Sequence, residues 1–168
     1  MIHVAMEQCE PGDVMVVAVN SRSDCGYFGD LLATLMQARR IAGLVIDSGV
    51  RDLADLRQMG IPVFSRCISA QGTVKETLGD VNVPVVCGGQ VINPSDLIIG
   101  DDDGVVVVRR HELDSVAKKS EAREEKEAGI RVKYRDGILG LDMNNMRQRL
   151  LEMGLQYVTY DDDKKTRD

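Results

Sequence analysis

Three charged residues at one fixed interval are the side chains of this chain best suited to chemistry. Asp30 follows Gly29, and Arg51 and Asp52 come after twenty intervening residues, 31–50. A guanidinium holds a carboxylate or an enolate oxygen through two parallel hydrogen bonds. An aspartate is a hard oxygen ligand for a cation such as Mg²⁺, which keeps several waters and often uses only one or two protein carboxylates. Taken singly, both aspartates could instead be helix caps, and Arg51 could be a surface arginine in a turn.

The backbone beside Asp30 adds a third chemical element to this set. The start of a helix presents unpaired N–H groups and a partial positive charge, which suit a carboxylate or a phosphate. A glycine at Gly29 lets a ligand approach the backbone closely. A metal on Asp52 would polarise a keto oxygen, and Arg51 would share the charge as an enolate forms. Together these groups suggest chemistry on a 2-oxo acid.

The elements around these residues alternate between apolar runs and amphipathic segments. Strands are predicted at residues 14–19, 44–47 and 61–66, helices at 30–41 and 52–59, a loop at 20–29 and a turn at 48–50. Strands separated by helices of this length are usually parallel, with right-handed crossovers. The loops at their carboxyl ends then share one sheet edge, where ligands of such sheets bind. We therefore expect the loop after the first strand, with Asp30, to meet the loop after the second, with Arg51.

The second half of the sequence is rich in strands and then in charged helix. Strands joined by tight turns are predicted at 81–89, 90–92 and 96–110, with a hairpin turn at Asp103 and Gly104. A charged helix follows over 111–127 and is expected to end at Gly129, and a further helix covers 144–153. The charged tail, 159–168, is predicted to be disordered. The chain opens in a helical pattern without a cap, which indicates that an upstream segment is missing.

Composition excludes several classes of function. The formal net charge is −6, aromatic residues make up 4% of the chain, and Trp is absent. No basic stripe with interleaved aromatics is present, so we expect no nucleic-acid partner. No apolar run is long enough to cross a bilayer, and no targeting segment is visible, so the interpretation is a cytoplasmic protein without a membrane partner. The four cysteines form no C-x-x-C pair, which favours free thiols.

The spacing of Asp30, Arg51 and Asp52 resembles a known family signature, D-X20-R-D. It is that of the class II pyruvate aldolases that cleave 4-hydroxy-4-methyl-2-oxoglutarate and 4-carboxy-4-hydroxy-2-oxoadipate. Four flanking motifs match in order: PGDVMVV, GDLLA, GLVIDSGVRD and GDDDGVVVV. These aldolases share their fold with the RraA-like regulators of ribonuclease E. The resemblance covers residues 1–158 and implies one α/β domain, a compact β/α/β (αββα-like) sandwich of the RraA-like or swivelling-domain type.

The resemblance also implies a role for each matched residue. Asp52 would be the metal ligand for Mg²⁺ or Mn²⁺. Arg51 would bind the keto oxygen and stabilise the pyruvate enolate, while Asp30 assists at the base of its loop. The carboxylate of pyruvate would be bound by the backbone amides of Gly29, Asp30, Leu31 and Leu32.

In the family the site lies between the subunits of a homotrimer or homohexamer, and a neighbouring subunit contributes a glutamate. The segment EAREEKE lies where that residue is expected, and Glu127 is the first choice for it. Glu124 is the alternative, and both could equally belong to a solvated helix face. His3 is expected near the cleft, although a lone histidine is more often structural.

The reaction implied is retro-aldol cleavage of a small 2-oxo acid to pyruvate plus oxaloacetate or pyruvate, in the degradation of aromatic compounds. The same electron sink would permit oxaloacetate decarboxylation. One alternative is a non-catalytic RraA-like regulator that binds a ribonuclease. Another is a methyltransferase, which is disfavoured because no G-x-G-x-x-G loop follows a strand.

Overall fold

The fold was analysed in a computed structural model that describes residues 1–158. The disorder predicted for the tail, 159–168, therefore lies outside the described residues. The chain divides into two compact units, of which the first is Met1–Leu113 and the second begins at Asp114. None of the helices in residues 1–158 combines the length and the apolar character needed to span a membrane.

The first unit contains three helices and eight strands. In chain order these are α1 (Ile2–Gln8), β1 (Val14–Val17), β2 (Gly26–Phe28), α2 (Asp30–Ala38), β3 (Gly43–Val50), α3 (Leu53–Met59), β4 (Val63–Ile68), β5 (Val85–Cys87), β6 (Gln90–Ile92), β7 (Leu97–Asp101) and β8 (Gly104–Val108). A short 3₁₀ turn, Arg110–Glu112, closes the unit.

Strand β3 is the centre of a four-stranded parallel sheet. Its first half pairs with β1 and its last two residues pair with β2, while β4 runs along its other side. Every residue of β3 except Asp47 is buried. Parallel strands that are covered on both faces have such near-continuous apolar sequences. The parallel β-α-β-α-β order predicted from the sequence is therefore confirmed.

The two faces of this sheet carry different layers. The three helices cover one face, where their buried residues Met6, Met36 and Leu56 share a cluster with Leu44 and Ile46 of β3. Alternate strand residues point to opposite faces. Val45 accordingly packs on the other side, in a cluster with Cys87 and Ile92 of the β5–β6 hairpin and with partly buried residues of β7 and β8. This layering confirms the predicted α/β sandwich.

Two predictions around β3 were wrong. Residues 26–28, expected within a loop, form strand β2, and residues 48–50, expected as a turn, complete β3. The reason is mutual pairing: Gly26 and Phe28 lie opposite Gly49 and Val50, which also pair with β4. Such short segments become strands only because their partners are brought to them from elsewhere in the chain.

The helix expected to end at Gly129 continues beyond it. Helix α4 covers Leu113–Arg135, and the chain turns at Gly137, whose φ is +81°. A glycine inside a helix costs about 1 kcal/mol relative to alanine, which its helix-forming neighbours outweigh. In the described part of the second unit, α4 is followed by α5 (Gly140–Met143) and α6 (Met146–Glu152). The helix predicted over 144–153 therefore starts two residues late and follows a short helix that was not predicted.

Asp96 lies in the connection between β6 and β7, and its buried carboxylate binds several neighbouring groups. Its side chain is 5% exposed and lies 2.6 Å from the Nη1 atom of Arg109. It also accepts hydrogen bonds from the backbone N–H groups of Asn93, at 2.9 Å, and Arg110, at 3.3 Å. The Asn93 N–H, with help from the Arg109 guanidinium, lowers the pKa of Asp96 to about 2.

This lowered pKa predicts a specific loss of stability in acid. As the pH falls, the unfolded chain takes up the Asp96 proton near pH 4, while the folded protein resists protonation until about pH 2. The contribution of Asp96 is thus complete above pH 4 and is lost between pH 4 and 2. We expect Asp96→Asn to lower the free energy of unfolding at pH 7 and to flatten its fall between pH 4 and 2, as measured by urea unfolding at several pH values.

The matched control is Asp102→Asn, at the tip of the β7–β8 turn, where the carboxylate has no hydrogen bond from residues 1–158. This change should leave the dependence of the free energy of unfolding on pH as it is in the wild type. Equal acid profiles for the wild type and Asp96→Asn would contradict the assignment.

Candidate active site

The two predicted loops meet because strands β2 and β3 end side by side. Phe28 pairs with Val50 at the ends of these parallel strands, and the backbone N–H of Arg51 donates to the Phe28 carbonyl at 2.8 Å. Gly29 and Arg51 are thus the first residues beyond one sheet edge. The expected juxtaposition is present, but Gly29 follows β2 and not the first strand of the chain.

Asp52 places its carboxylate between the two loops. Its Oδ2 atom accepts a hydrogen bond from the backbone N–H of Asp30 at 3.2 Å and lies 3.5 Å from Nε of Arg51. The Asp52 side chain is 33% exposed and that of Arg51 is 45% exposed. Both charges therefore remain in contact with solvent. Within residues 1–158, no protein donor contacts the other oxygen of this carboxylate, Oδ1.

The alternative reading, in which the aspartates simply cap their own helices, is not what the structure has. Asp52 is the N-cap residue of α3 by position, yet its side chain makes no capping bond there and reaches α2 instead. Its backbone is left-handed, with φ at 55° and ψ at 40°, which is uncommon for a residue other than glycine. The N-cap residue of α2 is Gly29, so Asp30 is the first helical residue and does not cap it.

Helix α2 keeps unpaired donors at its start. The first intrahelical bond of its N-terminal turn runs from Ala33 to the Gly29 carbonyl at 3.0 Å. Asp30 donates to Asp52, and the N–H groups of Leu31 and Leu32 have no acceptor among residues 1–158. These two amides can bind an anion.

A glycine is required at position 29 because a side chain there would clash with its neighbours, and not because of its backbone angles. Its φ of −159° is extended, but a Cβ atom there would lie 2.2 Å from Oδ2 of Asp52 and 2.9 Å from Cγ of Arg51. The two charged side chains thus pack directly against the Gly29 backbone. This close approach is the role that the sequence suggested for a glycine, although the group in contact here belongs to the protein itself.

An open cleft of about 1950 Å³ runs beside these residues within the first unit. Its lining includes Gly29, Leu31, Leu32, Arg51 and His3, the histidine expected near the cleft. Leu31 is 75% exposed, whereas Leu32 packs against the apolar core. Asp30 and Asp52 are not among the lining residues. The cleft therefore presents the arginine and the start of α2, and the Asp52 carboxylate contacts both from outside this lining.

The residues present fit a cation that needs few protein ligands. Within residues 1–158, no group of three or more His, Cys, Asp or Glu residues could hold a metal ion. A zinc site with three protein ligands is therefore not formed by them. Asp52 offers a single, partly exposed, hard carboxylate, which would suit Mg²⁺ or Mn²⁺, cations that often use only one or two protein carboxylates.

Glu127, the glutamate expected to join the site, lies on helix α4 of the second unit. It pairs with Arg123 at 2.8 Å and with Arg131 at 3.1 Å, one turn away on either side. The Arg123 hydrogen bond lowers the pKa of Glu127. Glu124 is exposed on the same helix. The participation of either glutamate in the site remains a prediction.

Two residues that the sequence analysis did not single out hold the segment that leads into β2. Ser48 of β3 is fully buried, and its hydroxyl donates to the Ser23 carbonyl at 2.7 Å. Arg66 of β4 pairs with Asp24 at 2.9 Å and with Asp47 at 3.2 Å. A serine and an arginine beside the apolar residues of strands β3 and β4 are the signal that could have indicated this network. It fixes the approach of the chain to Gly29.

A family model described as RraA-like, Aldolase/RraA, matches residues 1–107. A protein of Halalkalibacterium halodurans, provisionally named 4-hydroxy-4-methyl-2-oxoglutarate aldolase, is 34% identical over 122 residues, which make up 71% of this chain and 57% of the relative. The chain therefore spans little more than half the length of that relative.

Two solved structures have the same fold. An uncharacterised protein from Pseudomonas syringae is 32% identical with a TM-score of 0.75, over 83% of this chain and 70% of that one. RraAS2 of Streptomyces coelicolor is 29% identical with a TM-score of 0.70, over 79% of this chain and 68% of that one. The latter is described as an unusual member of the RNase ES inhibitor RraA protein family.

The contacts of Gly29 predict that even a methyl group there disrupts the site. We expect Gly29→Ala to lower the free energy of unfolding by about 1–3 kcal/mol, because the Asp52 carboxylate and the Arg51 side chain must both move. Gly129→Ala is the control, because its Cβ would enter open space on a helix. It should stabilise the protein by up to ~1 kcal/mol. Equal effects of the two changes in urea unfolding would contradict the geometry.

Proposed function

Because the chain belongs to the RraA-like (Aldolase/RraA) family, we propose that it is a metal-dependent class II pyruvate aldolase. The proposed reaction is retro-aldol cleavage of 4-carboxy-4-hydroxy-2-oxoadipate or 4-hydroxy-4-methyl-2-oxoglutarate. The products are pyruvate plus oxaloacetate from the first substrate, and two pyruvates from the second. The observation that carries the proposal is the meeting of Asp52, Arg51 and the start of α2 at one sheet edge.

The protein supplies several groups that can orient a 2-oxo acid. The backbone N–H groups from Gly29 to Leu32, at the positive end of α2, receive the substrate carboxylate. Those of Leu31 and Leu32 have no acceptor among residues 1–158, and that of Asp30 is held by Asp52. Arg51 lines the cleft and donates to the adjacent keto oxygen. Asp30 stabilises this loop in two ways. Its N–H binds the Asp52 carboxylate, and its acidic side chain is favourable in the first turn of a helix.

The cleavage step needs a group that accepts charge at the keto oxygen. The proton of the C4 hydroxyl is removed, C4 becomes a carbonyl, and the electron pair of the C3–C4 bond forms the pyruvate enolate. Protonation of that enolate at C3 gives pyruvate. Arg51 stabilises the negative oxygen through hydrogen bonds that strengthen as the charge develops. Asp52 would hold Mg²⁺ or Mn²⁺, which supplies further positive charge to that oxygen when bound. The same stabilisation would allow decarboxylation of oxaloacetate.

Self-association into a homotrimer or homohexamer is part of the proposal. In the β5–β6 hairpin, Val86 lies opposite Val91, and in the next hairpin Ile99 lies opposite Val106. All four are more than 45% exposed, on the hairpin faces that point away from the buried cluster. Exposed apolar surfaces of this kind support burial against another subunit. Glu127 of the partner subunit would then complete the site.

A second candidate function is a regulator that binds a ribonuclease. It is favoured by the likeness to RraAS2, whose description names an RNase inhibitor family. A regulator has no need of the Asp52 and Arg51 arrangement at the start of α2, so the aldolase is the preferred function.

The direct test is pyruvate release from 4-carboxy-4-hydroxy-2-oxoadipate, coupled to lactate dehydrogenase, with Mg²⁺ and with EDTA. We expect release in Mg²⁺ only. Asp52→Ala should lower kcat at least about 100-fold. Arg51→Lys should lower kcat about 10²–10³-fold, because lysine cannot make the paired hydrogen bonds of arginine. Asp55→Ala is the matched control, since Asp55 is an exposed acid in the first turn of α3.

Normal activity in Asp52→Ala would contradict the metal assignment. No release from the folded, metal-loaded, full-length protein would exclude the aldolase, and inhibition of a ribonuclease by the same preparation would then support the regulator.

Subunit mixing tests the role of Glu127. If its site lies across an interface, Glu127→Gln and Asp52→Ala homo-oligomers should each be nearly inactive, while mixed oligomers regain about a quarter of the activity by random assembly of complementary sites. Glu124→Gln serves as the matched control on the same helix. Failure of exchanged, mixed oligomers to regain activity would rule out a shared site.

A further inference from the structure

We propose that Asp52 occupies the anion site of its own active centre until a divalent cation draws its carboxylate away. The metal would then bind first and the anionic substrate second. This inference rests on the proposed function and adds to it an order of binding and a reason for that order.

The Asp52 carboxylate contacts the two groups that the substrate needs. Its Oδ2 atom accepts the hydrogen bond of the Asp30 N–H at 3.2 Å, at the positive end of α2. The same oxygen lies 3.5 Å from Nε of Arg51, the cation that faces the cleft. A carboxylate is thus already bound where the helix start and the arginine converge, and it belongs to the protein.

The contact with Gly29 shows how closely this oxygen approaches the backbone at the helix start. A methyl group on Gly29 would lie 2.2 Å from Oδ2 of Asp52, so the carboxylate rests directly on the backbone at the helix start. Gly29 is itself buried. A substrate oxygen cannot reach this surface while Oδ2 remains there, and its charge would be repelled by that of Asp52.

A divalent cation changes both the geometry and the charge. Asp52 is 33% exposed, and within residues 1–158 its Oδ1 atom has no protein donor, so the carboxylate is open to a cation. Drawing it toward the ion frees the Asp30 N–H and the Arg51 guanidinium. The local charge becomes positive at the same moment. By linkage, a metal that raises the affinity for an anion must have its own affinity raised by the anion to the same extent.

The test is calorimetric titration of pyruvate into the wild type, Asp52→Asn and Asp52→Ala, each with Mg²⁺ and with EDTA. We expect Mg²⁺ to tighten pyruvate binding to the wild type at least about 10-fold. Without metal, both variants should bind pyruvate at least about 10-fold more tightly than the wild type, and Mg²⁺ should add little. Asp55→Asn controls for the loss of one negative charge elsewhere on α3.

A second measurement uses the unmodified protein. The ¹H–¹⁵N resonance of the Asp30 amide should shift when Mg²⁺ is added without pyruvate, because the bond to Asp52 is broken. An Asp30 resonance that stays in place while Mg²⁺ binds would overturn the inference.

The two proposals fail in different ways. Variants that bind pyruvate without metal no better than the wild type would overturn the binding order, and metal-dependent pyruvate release would leave the aldolase intact. Absence of pyruvate binding in every protein, with and without Mg²⁺, would also overturn the binding order, and the pyruvate-release assay would decide the aldolase separately.

Discussion

The pairing of Phe28 with Val50 at the ends of two parallel strands is the constraint on which the site depends. Residues 22 positions apart become neighbours there, and the next residue of each strand already belongs to the site. The bond from the Arg51 N–H to the Phe28 carbonyl extends this register by one step. Parallel strands place both outgoing loops at the same sheet edge, so the anion-binding helix start and the charged pair need no further device to meet.

The Asp52 carboxylate then has two competing roles at that edge. It complements the partial positive charge of α2 and the guanidinium of Arg51, which favours the folded protein. It is also the hard oxygen ligand that the proposed chemistry needs. A left-handed backbone at Asp52 directs its side chain away from its own helix and toward the neighbouring one. Uncommon backbone conformations often occur at functional sites.

Apolar and polar side chains stabilise different parts of the sheet. Apolar side chains of the helices and hairpins bury β3 on both faces. Polar groups hold the irregular segment before β2, where Ser48 and Arg66 bind the backbone of Ser23. Residues 20–25 are mostly polar and present no apolar face to the core, so these hydrogen bonds hold the segment in place. The cleft residues Leu31 and Arg51 are left exposed, and exposed groups at a rigid edge are those available to a ligand.

Local sequence patterns determined the order of parallel strands and helices, the end of α3 at Gly60 and the hairpin at Asp103 and Gly104. Each of these features depends on neighbours within a few residues. The sequence also sets the interval between Asp30 and Arg51, because it is the length of helix α2, strand β3 and the connection between them. Only the tertiary structure decided that residues 26–28 are a strand and that residues 48–50 complete β3, since isolated short strands gain nothing until a partner pairs with them. It also decided that the Asp52 side chain serves α2 and not α3. That choice depends on the distance between two helix starts, which sequence spacing does not contain.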